Sequence, residues 1–214
     1  MRIDLHIHTR YSMDCLMSFE TIIQACRVRG IDAVAITDHN VIDGALAFRE
    51  IAPFPVIVGE EIKTTAGEIM GFFLEEWIPP HLSPEETVAR IRAQGGLIGV
   101  SHPCDRVRRS VLKKGAFQHI LPELDVIEVF NSRVLFPGDN ERARKLALEH
   151  GLLQVAGSDA HTRYEVGRAY VEMKPFSDGE EFKNNLANGR IVGRVTNPLI
   201  HILTTWAKVR KWLR

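Results

Sequence analysis

Short apolar segments alternate along the chain with longer segments in which apolar residues recur at helical spacing. The first apolar segment, residues 3–6, alternates strictly between apolar and polar side chains, which is typical of a β-strand. Over residues 3–8, Asp4, His6 and His8 fall on one face and the intervening apolar side chains fall on the other. Two imidazoles this close together can form half of a metal site, although a half-buried edge strand with a polar face has the same pattern.

Seven apolar segments of strand length predict a sheet, and helical patterns separate most of them. One of these helices runs from Ser18 to Arg29 and is ended by Gly30. Repeated β–α units favour an α/β fold with a largely parallel sheet. At 214 residues the chain is short for an eight-fold barrel, which typically needs ~250, so we expect a reduced or distorted barrel. The predicted strands cover residues 3–6, 33–37, 55–58, 68–74, 97–101, 126–130 and 153–156, with a hairpin turn at 64–67.

Composition and charge are those of an ordinary globular protein. Hydrophobic residues make up 45% of the chain, and 27 Lys and Arg balance 27 Asp and Glu. This balance excludes an overall field that would attract nucleic acid or a membrane surface, and no apolar run approaches the ~20 residues of a membrane span. The polar N-terminal strand is unlike a signal peptide, and Cys15, Cys26 and Cys104 form no C-x-x-C pair. We therefore expect a cytoplasmic protein.

Side chains that can bind metal ions follow the ends of most of the predicted strands. In parallel α/β sheets the carboxyl ends of the strands meet at one rim, so these side chains are expected to converge. The four other histidines, His81, His119, His150 and His201, lie elsewhere in the pattern. The residues at the predicted rim are His6, His8, Asp14, His39, Glu61, Glu68, His102, Asp159 and His161, with Asn131 beside them. Such a set predicts a site for more than one metal ion.

Four short segments resemble the four motifs of the PHP (polymerase and histidinol phosphatase) family, in the order in which that family has them. They are Asp-Leu-His-Ile-His-Thr at residues 4–9, Thr-Asp-His-Asn at 37–40, Ser-His-Pro at 101–103 and Ser-Asp-Ala-His at 158–161. The segment Gly-Glu-Glu-Ile at 59–62 is similar to the family's Gly-x-Glu-Ile. The resemblance implies a distorted seven-stranded β/α barrel over residues 1–198, two or three divalent metal ions and phosphoester hydrolysis.

The resemblance also implies how the ligands divide among the metals. The sets for three metals are, in turn, His6, His8, Glu61 and Asp159; Glu61 as a bridge with His102; and Asp14, His39 and His161. It further implies that His39, Asp159 and His161 act in catalysis with a metal-bridging hydroxide. Mixed nitrogen and oxygen ligation suits zinc, manganese or iron.

The chain departs from the family at one position. Many relatives have a histidine in the strand that follows the bridging glutamate, in a segment like Gly-His-Ile-Leu-Gly, whereas this chain has Gly-Glu-Ile-Met-Gly at residues 67–71. Glu68 is expected to replace that histidine with an oxygen ligand to the second metal. The alternative is a solvated strand residue beside a weak or empty second site.

Other acidic side chains are expected to support the site or the helices. Asp4 and Asp38 are expected to orient neighbouring imidazoles through hydrogen bonds. Asp139 is expected to cap a helix that ends at His150.

Candidate substrate contacts follow the ends of the later strands. An arginine fork suits a phosphate or a carboxylate, and Arg106, Asn131 and Arg133 lie in the loops after two of these strands. Arg108 and Arg109 are expected to be solvated loop residues.

These features favour a phosphatase that hydrolyses a small phosphorylated metabolite or nucleotide, since several divalent ions on this ligand set leave positive charge for a phosphate dianion. An exonuclease-type phosphodiesterase on oligonucleotides is an alternative, although tracking of a phosphate backbone needs clustered Lys and Arg. A metal-dependent amidohydrolase or deaminase also begins with His-x-His, but generally has a metal-bridging lysine where this chain has Glu61. A metal-stabilised scaffold without activity is the last alternative.

Residues 199–214 predict an amphipathic C-terminal helix. Its apolar positions, Leu199, Leu203, Trp206, Val209 and Leu213, lie opposite Lys208, Lys211 and Arg214. The helix is expected to pack on the barrel, although it could instead lie on a membrane surface or mediate dimerisation, and the sequence leaves the oligomeric state open.

Overall fold

Nine strands form a single sheet in the computed structural model, which describes residues 1–213. The strands are β1 (Arg2–Ile7), β2 (Ala33–Ile36), β3 (Val56–Thr64), β4 (Gly67–Phe72), β5 (Leu97–Val100), β6 (Val126–Asn131), β7 (Leu153–Gly157), β8 (Ala169–Glu172) and β9 (Arg190–Gly193). The helices are α1 (Phe19–Arg29), α2 (Asp43–Ile51), α3 (Pro84–Ala93), α4 (Lys114–Ile120), α5 (Gly138–His150), α6 (Gly179–Leu186) and α7 (His201–Trp212). The order across the sheet is β7-β6-β5-β4-β3-β2-β1-β8-β9.

The sheet curves until its first strand meets the chain that follows β7. The amide of His8 donates to the carbonyl of Ala160 at 3.0 Å, and the amide of Ala160 donates to the carbonyl of His6 at 3.3 Å. Strands β1 to β7 therefore almost close into a barrel, and the expected distorted β/α barrel is confirmed. One strand, β4, runs antiparallel to both β3 and β5, through a hairpin whose last paired residues are Thr64 and Gly67.

The sheet has two strands more than the seven that the sequence predicts. β8 pairs antiparallel with the first residues of β1, and β9 pairs antiparallel with β8. Each has only four residues, and the side chains of β9 are exposed or half-buried. Neither strand forms a continuous apolar segment, and the sequence pattern missed both for this reason.

Apolar side chains on the two faces of the sheet form separate clusters. On one face, Ile36 packs in a cluster that includes Phe48 and other buried residues of α1 to α5. On the other face, Ile57 packs in a cluster that includes Phe182 of α6. The helices of the β–α units thus cover one face, as a β/α barrel requires.

The strict alternation predicted for the first strand is wrong near its end. Ile3 and Leu5 belong to the cluster with α6, whereas Ile7 belongs to the cluster with α1 to α5. The pairing of β1 with β2 is irregular between Asp4 and Ile7. An irregularity of one residue turns the following side chains to the opposite face. Asp4 and His6 therefore need not share an environment, although they are two residues apart.

The C-terminal helix lies on the barrel through the opposite face from the one expected. Thr204 and Ala207 of α7 are buried, while Trp206 and Val209 are exposed. The side chain of Lys211 donates to the carbonyls of the loop at residues 10–12. The face of α7 on the barrel is therefore polar, and the apolar positions of the predicted amphipathic helix are on the outside. Arg214, the last residue of the predicted helix, lies outside the described residues.

None of the helices within residues 1–213 has the length and apolar character needed to cross a lipid bilayer. Apolar side chains lie in the two clusters of the sheet and on the outer face of α7.

Asp125, just before β6, links three parts of the fold and gives a test of it. Its carboxylate accepts the amide of Ile98 at 2.9 Å and pairs with Arg92 at 2.7 Å and Lys183 at 2.6 Å. Burial acts to raise the pKa of Asp125, but Lys183, Ile98 and Arg92 hold it below its usual value. A lowered pKa in the folded state means that this stabilisation is present above the unfolded pKa and is lost as the pH falls.

We expect Asp125→Asn to lower the free energy of unfolding by about 1–3 kcal/mol at neutral pH, because it weakens charged hydrogen bonds to a buried group. Urea denaturation at neutral and acidic pH measures the difference, which should shrink as acid neutralises Asp125 in the parent protein. Glu50→Gln, at an exposed pair with Arg49, is the control and should have little effect. An equal loss at both pH values would contradict the assignment.

Candidate metal centre

All nine predicted metal ligands meet at one rim of the barrel. His102 and Asp159 follow the carboxyl ends of β5 and β7, and Glu61 lies in the second half of β3. Because β4 runs in the opposite direction, its first residues reach the same rim, and Glu68 is among them. The antiparallel hairpin therefore brings a predicted ligand to the rim that a purely parallel sheet could not place there.

Four of the ligands form the group predicted for the first metal. The Nε2 atoms of His6 and His8 are 3.1 Å apart. Glu61 Oε2 lies 3.3 Å from the first and 3.6 Å from the second. Asp159 Oδ1 lies 3.7 Å and 3.3 Å from the same two nitrogens. All four side chains are fully buried.

Glu61 also faces a second group through its other oxygen. Its Oε1 lies 3.0 Å from His102 Nε2, which is 3.9 Å from Glu68 Oε2. Glu68 Oε1 lies 3.9 Å from His39 Nδ1. Glu68 is buried and points at the rim, which is the position expected of an oxygen ligand in place of a histidine.

His39 stands between the second group and the third. Its Nδ1 lies 3.2 Å from Glu61 Oε2, and its Nε2 lies 3.5 Å from Asp14 Oδ2. Asp14 Oδ1 in turn lies 3.2 Å from His161 Nε2. The three predicted ligands Asp14, His39 and His161 are thus adjacent, but His39 also faces Glu61, which the predicted division of the ligands did not include.

The donor set fits divalent cations. Asp159 Oδ1 and Glu68 Oε2 are buried and accept no hydrogen bond from the protein. In three clusters the ligand atoms lie within 4.8 Å of one another; these clusters are His6, His8 and Glu61; His39, Glu61 and Glu68; and His8, His39 and His161. A cation among such nitrogens and oxygens would satisfy acceptors that no protein donor reaches.

The charges at the rim hold its carboxylates ionised. Burial acts to raise the pKa of Asp159, but Arg108 and His6 hold it well below its usual range. Burial likewise opposes ionisation of Glu61, yet His6 and His39 hold the pKa of Glu61 well below normal. At Glu68, burial and the charge of Glu61 raise the pKa. Two anionic ligands and a third that is easily protonated suit a cation site, since a bound cation would favour the charged form of each.

Glu128 forms hydrogen bonds with two of the histidines and with Asn131, and the sequence pattern did not identify it. Its Oε1 lies 3.0 Å from His6 Nδ1, and its Oε2 accepts the amide of His102 at 2.7 Å and the side-chain amide of Asn131 at 2.9 Å. A proton on His6 Nδ1 donated to Glu128 leaves Nε2 free to bind a metal. The available signal was a charged residue inside an otherwise apolar strand.

Two ligand-bearing loops depend on unusual backbone geometry. His102 and Asp159 have φ angles of 33° and 54°, in the left-handed region. At Gly157 a Cβ atom would lie 2.2 Å from the Cβ of His6, so only glycine fits beside this ligand. The close approach and the strained turns set the directions in which the side chains enter the rim.

Asp4 and Asp38 do not orient imidazoles, contrary to expectation. Asp4 accepts the amides of Ser158 and Gly167, each at 2.8 Å. Asp38 accepts the amide and the hydroxyl of Thr9, each at 2.6 Å. Both carboxylates therefore hold the backbone of ligand-bearing loops. Burial raises the pKa of Asp4 to about 7 and that of Asp38 to about 6, despite these hydrogen bonds.

A cavity of about 800 Å³ opens above the ligands. Asp14, His39, Glu68 and His161 lie along it, and its wall includes the basic side chains of Lys63, Arg108, Arg109 and Lys208. The cavity thus has candidate metal ligands along it and basic side chains in its wall.

The environments predicted for Arg106 and Arg108 are reversed in the structure. Arg108, expected to be solvated, lies in the cavity and pairs with Asp159 Oδ2 and with Asp105 at 3.4 Å. Arg106, expected to contact substrate, is bonded to Asp139 at 3.0–3.1 Å. Asp139 does not cap α5, because its carboxylate is taken by Arg106 and Arg142.

The two other candidate substrate contacts are buried. Asn131 donates to Glu128 and, at 3.2 Å, to Asp159 Oδ2, so it positions a ligand. Arg133 lies in the cavity wall, where it contacts His161 and donates to Thr204 at 2.6 Å. Of the three predicted contacts, Arg133 alone lines the cavity.

Three solved structures share the fold. A protein from Bifidobacterium adolescentis, provisionally assigned as a metal-dependent phosphoesterase, is 20% identical, with a TM-score of 0.63 over 88% of this chain and 96% of its own. An amidohydrolase from Chromobacterium violaceum, with bound sulfate and no metal, is 17% identical, with a TM-score of 0.61 over 96% of each chain. The lesion-specific endonuclease PfuEndoQ from Pyrococcus furiosus is 18% identical, with a TM-score of 0.63 over 92% of this chain and 59% of its own.

Sequence comparison goes further than the shared fold. The PHP domain model matches residues 4–100, and the PHP-associated model matches residues 137–191. The uncharacterized protein MJ1587 of Methanocaldococcus jannaschii is 40% identical over 146 residues, which cover 62% of this chain and 82% of the relative. MJ0417 of the same organism is 37% identical over 175 residues, which cover 80% and 70%. The chain therefore belongs to the PHP-domain family.

Proposed function

We propose that this protein is a metal-dependent phosphatase that hydrolyses a small phosphorylated metabolite or nucleotide. The observation that carries the proposal is a rim where nine candidate metal ligands meet beneath a cavity whose wall is cationic, with six of the nine in clusters whose ligand atoms lie within 4.8 Å of one another. Membership of the PHP-domain family supports the hydrolase class.

The side chains suggest which residues would hold the ions. His6, His8, Glu61 and Asp159 are suited to one ion, and Glu61 with His102 and Glu68 to a second. Asp14, His39 and His161 are suited to a third. Bound divalent ions would polarise a phosphoryl group and lower the pKa of water at the rim.

The chain's own residues prepare His161 for such a role. Its Nδ1 lies 2.8 Å from the carbonyl oxygen of Asp159. Arg133, whose guanidinium can only donate, also contacts Nδ1, so these two neighbours orient the ring with Nε2 3.2 Å from Asp14 Oδ1. His39 and His161 thus combine proposed ligand positions with a place in the cavity lining, and Asp159 reaches the cavity through Arg108, which supports the catalytic roles proposed for the three.

Arg108 would hold the phosphoryl group. It pairs with Asp159 Oδ2 while the other oxygen, Oδ1, faces His6 and His8. About a fifth of the Arg108 side chain stays exposed in the cavity (22%), so part of its donor fork is available to a phosphate oxygen. Lys63, Arg109 and Lys208 add positive charge further along the wall.

The shape of the cavity favours a small substrate. Arg133 is bonded to Thr204 of α7, and α7 contributes Thr204, Thr205 and Lys208 to the wall. The helix therefore forms one side of the cavity, and a substrate enclosed by this wall is favoured over a duplex.

Removal of metal or of a ligand should abolish phosphate release. We expect His8→Ala and Asp159→Asn to release no inorganic phosphate from p-nitrophenyl phosphate and nucleoside monophosphates, because each loses a buried ligand of the first group. A chelator should have the same effect on the parent protein, and added divalent metal should reverse it. Metal content and circular dichroism would separate lost metal from lost fold.

His119→Ala, at an exposed histidine far from the motifs, is the matched control and should keep full activity. Phosphate release by the two ligand variants at the parental rate would overturn the proposal. A panel of phosphodiesters, oligonucleotides, amides and nucleobases tests the alternatives. Turnover of oligonucleotides alone, or release of ammonia, would replace the phosphatase by the nuclease or the amidohydrolase.

Glu128→Gln should weaken metal binding about 10- to 100-fold, because a carboxylate behind a ligating histidine fixes its tautomer and raises its basicity. Competition with a chromogenic chelator measures the affinity. Glu123→Gln, at an exposed pair with Arg92, is the control and should leave it unchanged. Equal affinity in the Glu128 variant would mean that its bond to His6 has no part in metal binding.

Arg108→Gln should lower kcat/KM about 10- to 100-fold, because it removes a charged hydrogen bond to the phosphoryl group. The neighbouring Arg106→Gln should change kcat/KM little, since Arg106 is half exposed and bonded to Asp139. Metal content should stay constant in both variants. Equal losses in the two would contradict the role given to Arg108.

A further inference from the structure

Exposed large hydrophobic side chains are concentrated on the outer face of α7 and at its two ends. Residues 199–213 include seven of the large hydrophobic side chains that are exposed: Leu199, Ile202, Leu203, Trp206, Val209, Trp212 and Leu213. The inner face of the same helix carries Thr204 and Ala207, which are buried, and Lys208 and Lys211, which contact the rim loop. The helix therefore has one polar side on the barrel and one apolar side on the surface.

The exposed area is that of an interface. If each large side chain presents about 150–200 Å², the lower part of the range for aromatic side chains, the exposed fractions of the seven residues amount to roughly 650–870 Å². The largest apolar patch on a typical monomer is about 300–600 Å². A standard protein interface buries about 800 Å² on each partner.

The spacing of the exposed residues is that of a helix that packs against another helix. Leu199, Ile202, Trp206, Val209 and Leu213 follow one another at intervals of three, four, three and four residues. This is the a/d repeat of a coiled coil, and Leu203 and Trp212 widen the seam on its two sides. A helix that lies in a lipid surface would have its Lys side chains flanking the apolar face.

The contacts of the lysines also disfavour a lipid surface. Lys208 Nζ lies 3.5 Å from Asp14 Oδ2, and Lys211 donates to the carbonyls of Arg10 and Ser12. Both cations therefore point toward the barrel, away from the apolar seam. Arg210 is stacked on Trp206, with 5.1 Å between the guanidinium carbon and the ring centre.

We propose that α7 pairs with α7 of a second copy of this chain, in antiparallel orientation about a two-fold axis at Trp206. About this axis, Leu199 would face Leu213 of the second copy, Leu203 would face Val209 and Ile202 would face Arg210. Residues 199–213 contain no acidic side chain, and their Lys and Arg all lie at positions 208–211. Antiparallel pairing sets this basic end against the uncharged first half of the other helix, whereas parallel pairing would set the two basic ends side by side.

The pairing would act on the same helix that lines the cavity. Thr204 accepts a hydrogen bond from Arg133 at 2.6 Å, and Lys208 reaches Asp14. A second copy on the outer face would therefore hold this wall of the cavity in place. The dimer itself is independent of the proposed phosphatase activity, so either can fail without the other.

Light scattering coupled to gel filtration tests the pairing on the full chain. We expect a mass of twice 24.2 kDa for the parent protein. The double variant Trp206→Glu, Val209→Glu should run at the monomer mass with unchanged circular dichroism, because both side chains are exposed in a single copy. Val28→Glu and Leu148→Glu, at exposed apolar positions of α1 and α5, are matched controls and should stay dimeric.

Cysteine cross-linking tests the orientation, in a Cys104→Ser background that removes the half-buried native thiol. Under mild oxidation, a mixture of Leu199→Cys and Leu213→Cys chains should cross-link, while Leu199→Cys chains alone should not. A monomeric parent protein, a dimer that survives the double variant, or cross-linking of Leu199→Cys chains alone would each overturn the proposal. So would a monomer that sediments with vesicles of phosphatidylserine and phosphatidylcholine.

Discussion

The rim depends on the burial of carboxylates and imidazoles beside one another. An isolated ionised carboxylate is strongly destabilised away from water, so each buried charge needs a partner. Glu61 faces His6, His8 and His39 with one oxygen and His102 with the other. Because these four imidazoles compensate Glu61, moving any of them would leave its carboxylate less well paired.

The same constraint explains the residues that form hydrogen bonds or ion pairs with the candidate ligands. Asp159 turns Oδ1 toward the histidines and gives Oδ2 to Arg108 and Asn131. Glu128 serves His6, the amide of His102 and Asn131 at once. These contacts satisfy the side-chain atoms that a metal would not bind. They also fix the orientation of the atoms that it would bind.

Closure of the barrel and assembly of the centre are one structural event. Ala160, whose amide and carbonyl pair with β1, lies between Asp159 and His161, and its partners are the backbone groups of His6 and His8. Opening this seam would separate two pairs of ligands. A metal bound across it would therefore stabilise the closed barrel, since binding to the folded state alone adds to the stability of that state.

Much of the rim could be predicted from the sequence, because strands of a β/α barrel bring their carboxyl ends together. His6, His8 and Glu61 lie where the strand pattern and the family motifs predict them. Glu128 could not be found in this way, since a single carboxylate in an apolar strand has no motif. The reversed environments of Arg106 and Arg108 could not be predicted either. Arg106 pairs with Asp139 and Arg108 with Asp159, and both pairs are set by tertiary contacts.

The orientation of α7 has a related cause. Helical periodicity identifies two faces but cannot decide which of them packs, because that choice depends on the surface beneath. Here the surface is a cavity lined by Asp14 and Arg133, which are better satisfied by Lys208 and Thr204 than by Trp206 or Val209. The apolar face is thus outside because the rim is polar. Lysines that point into the cavity leave the apolar back of the helix exposed, and this is the face that the proposed pairing would cover.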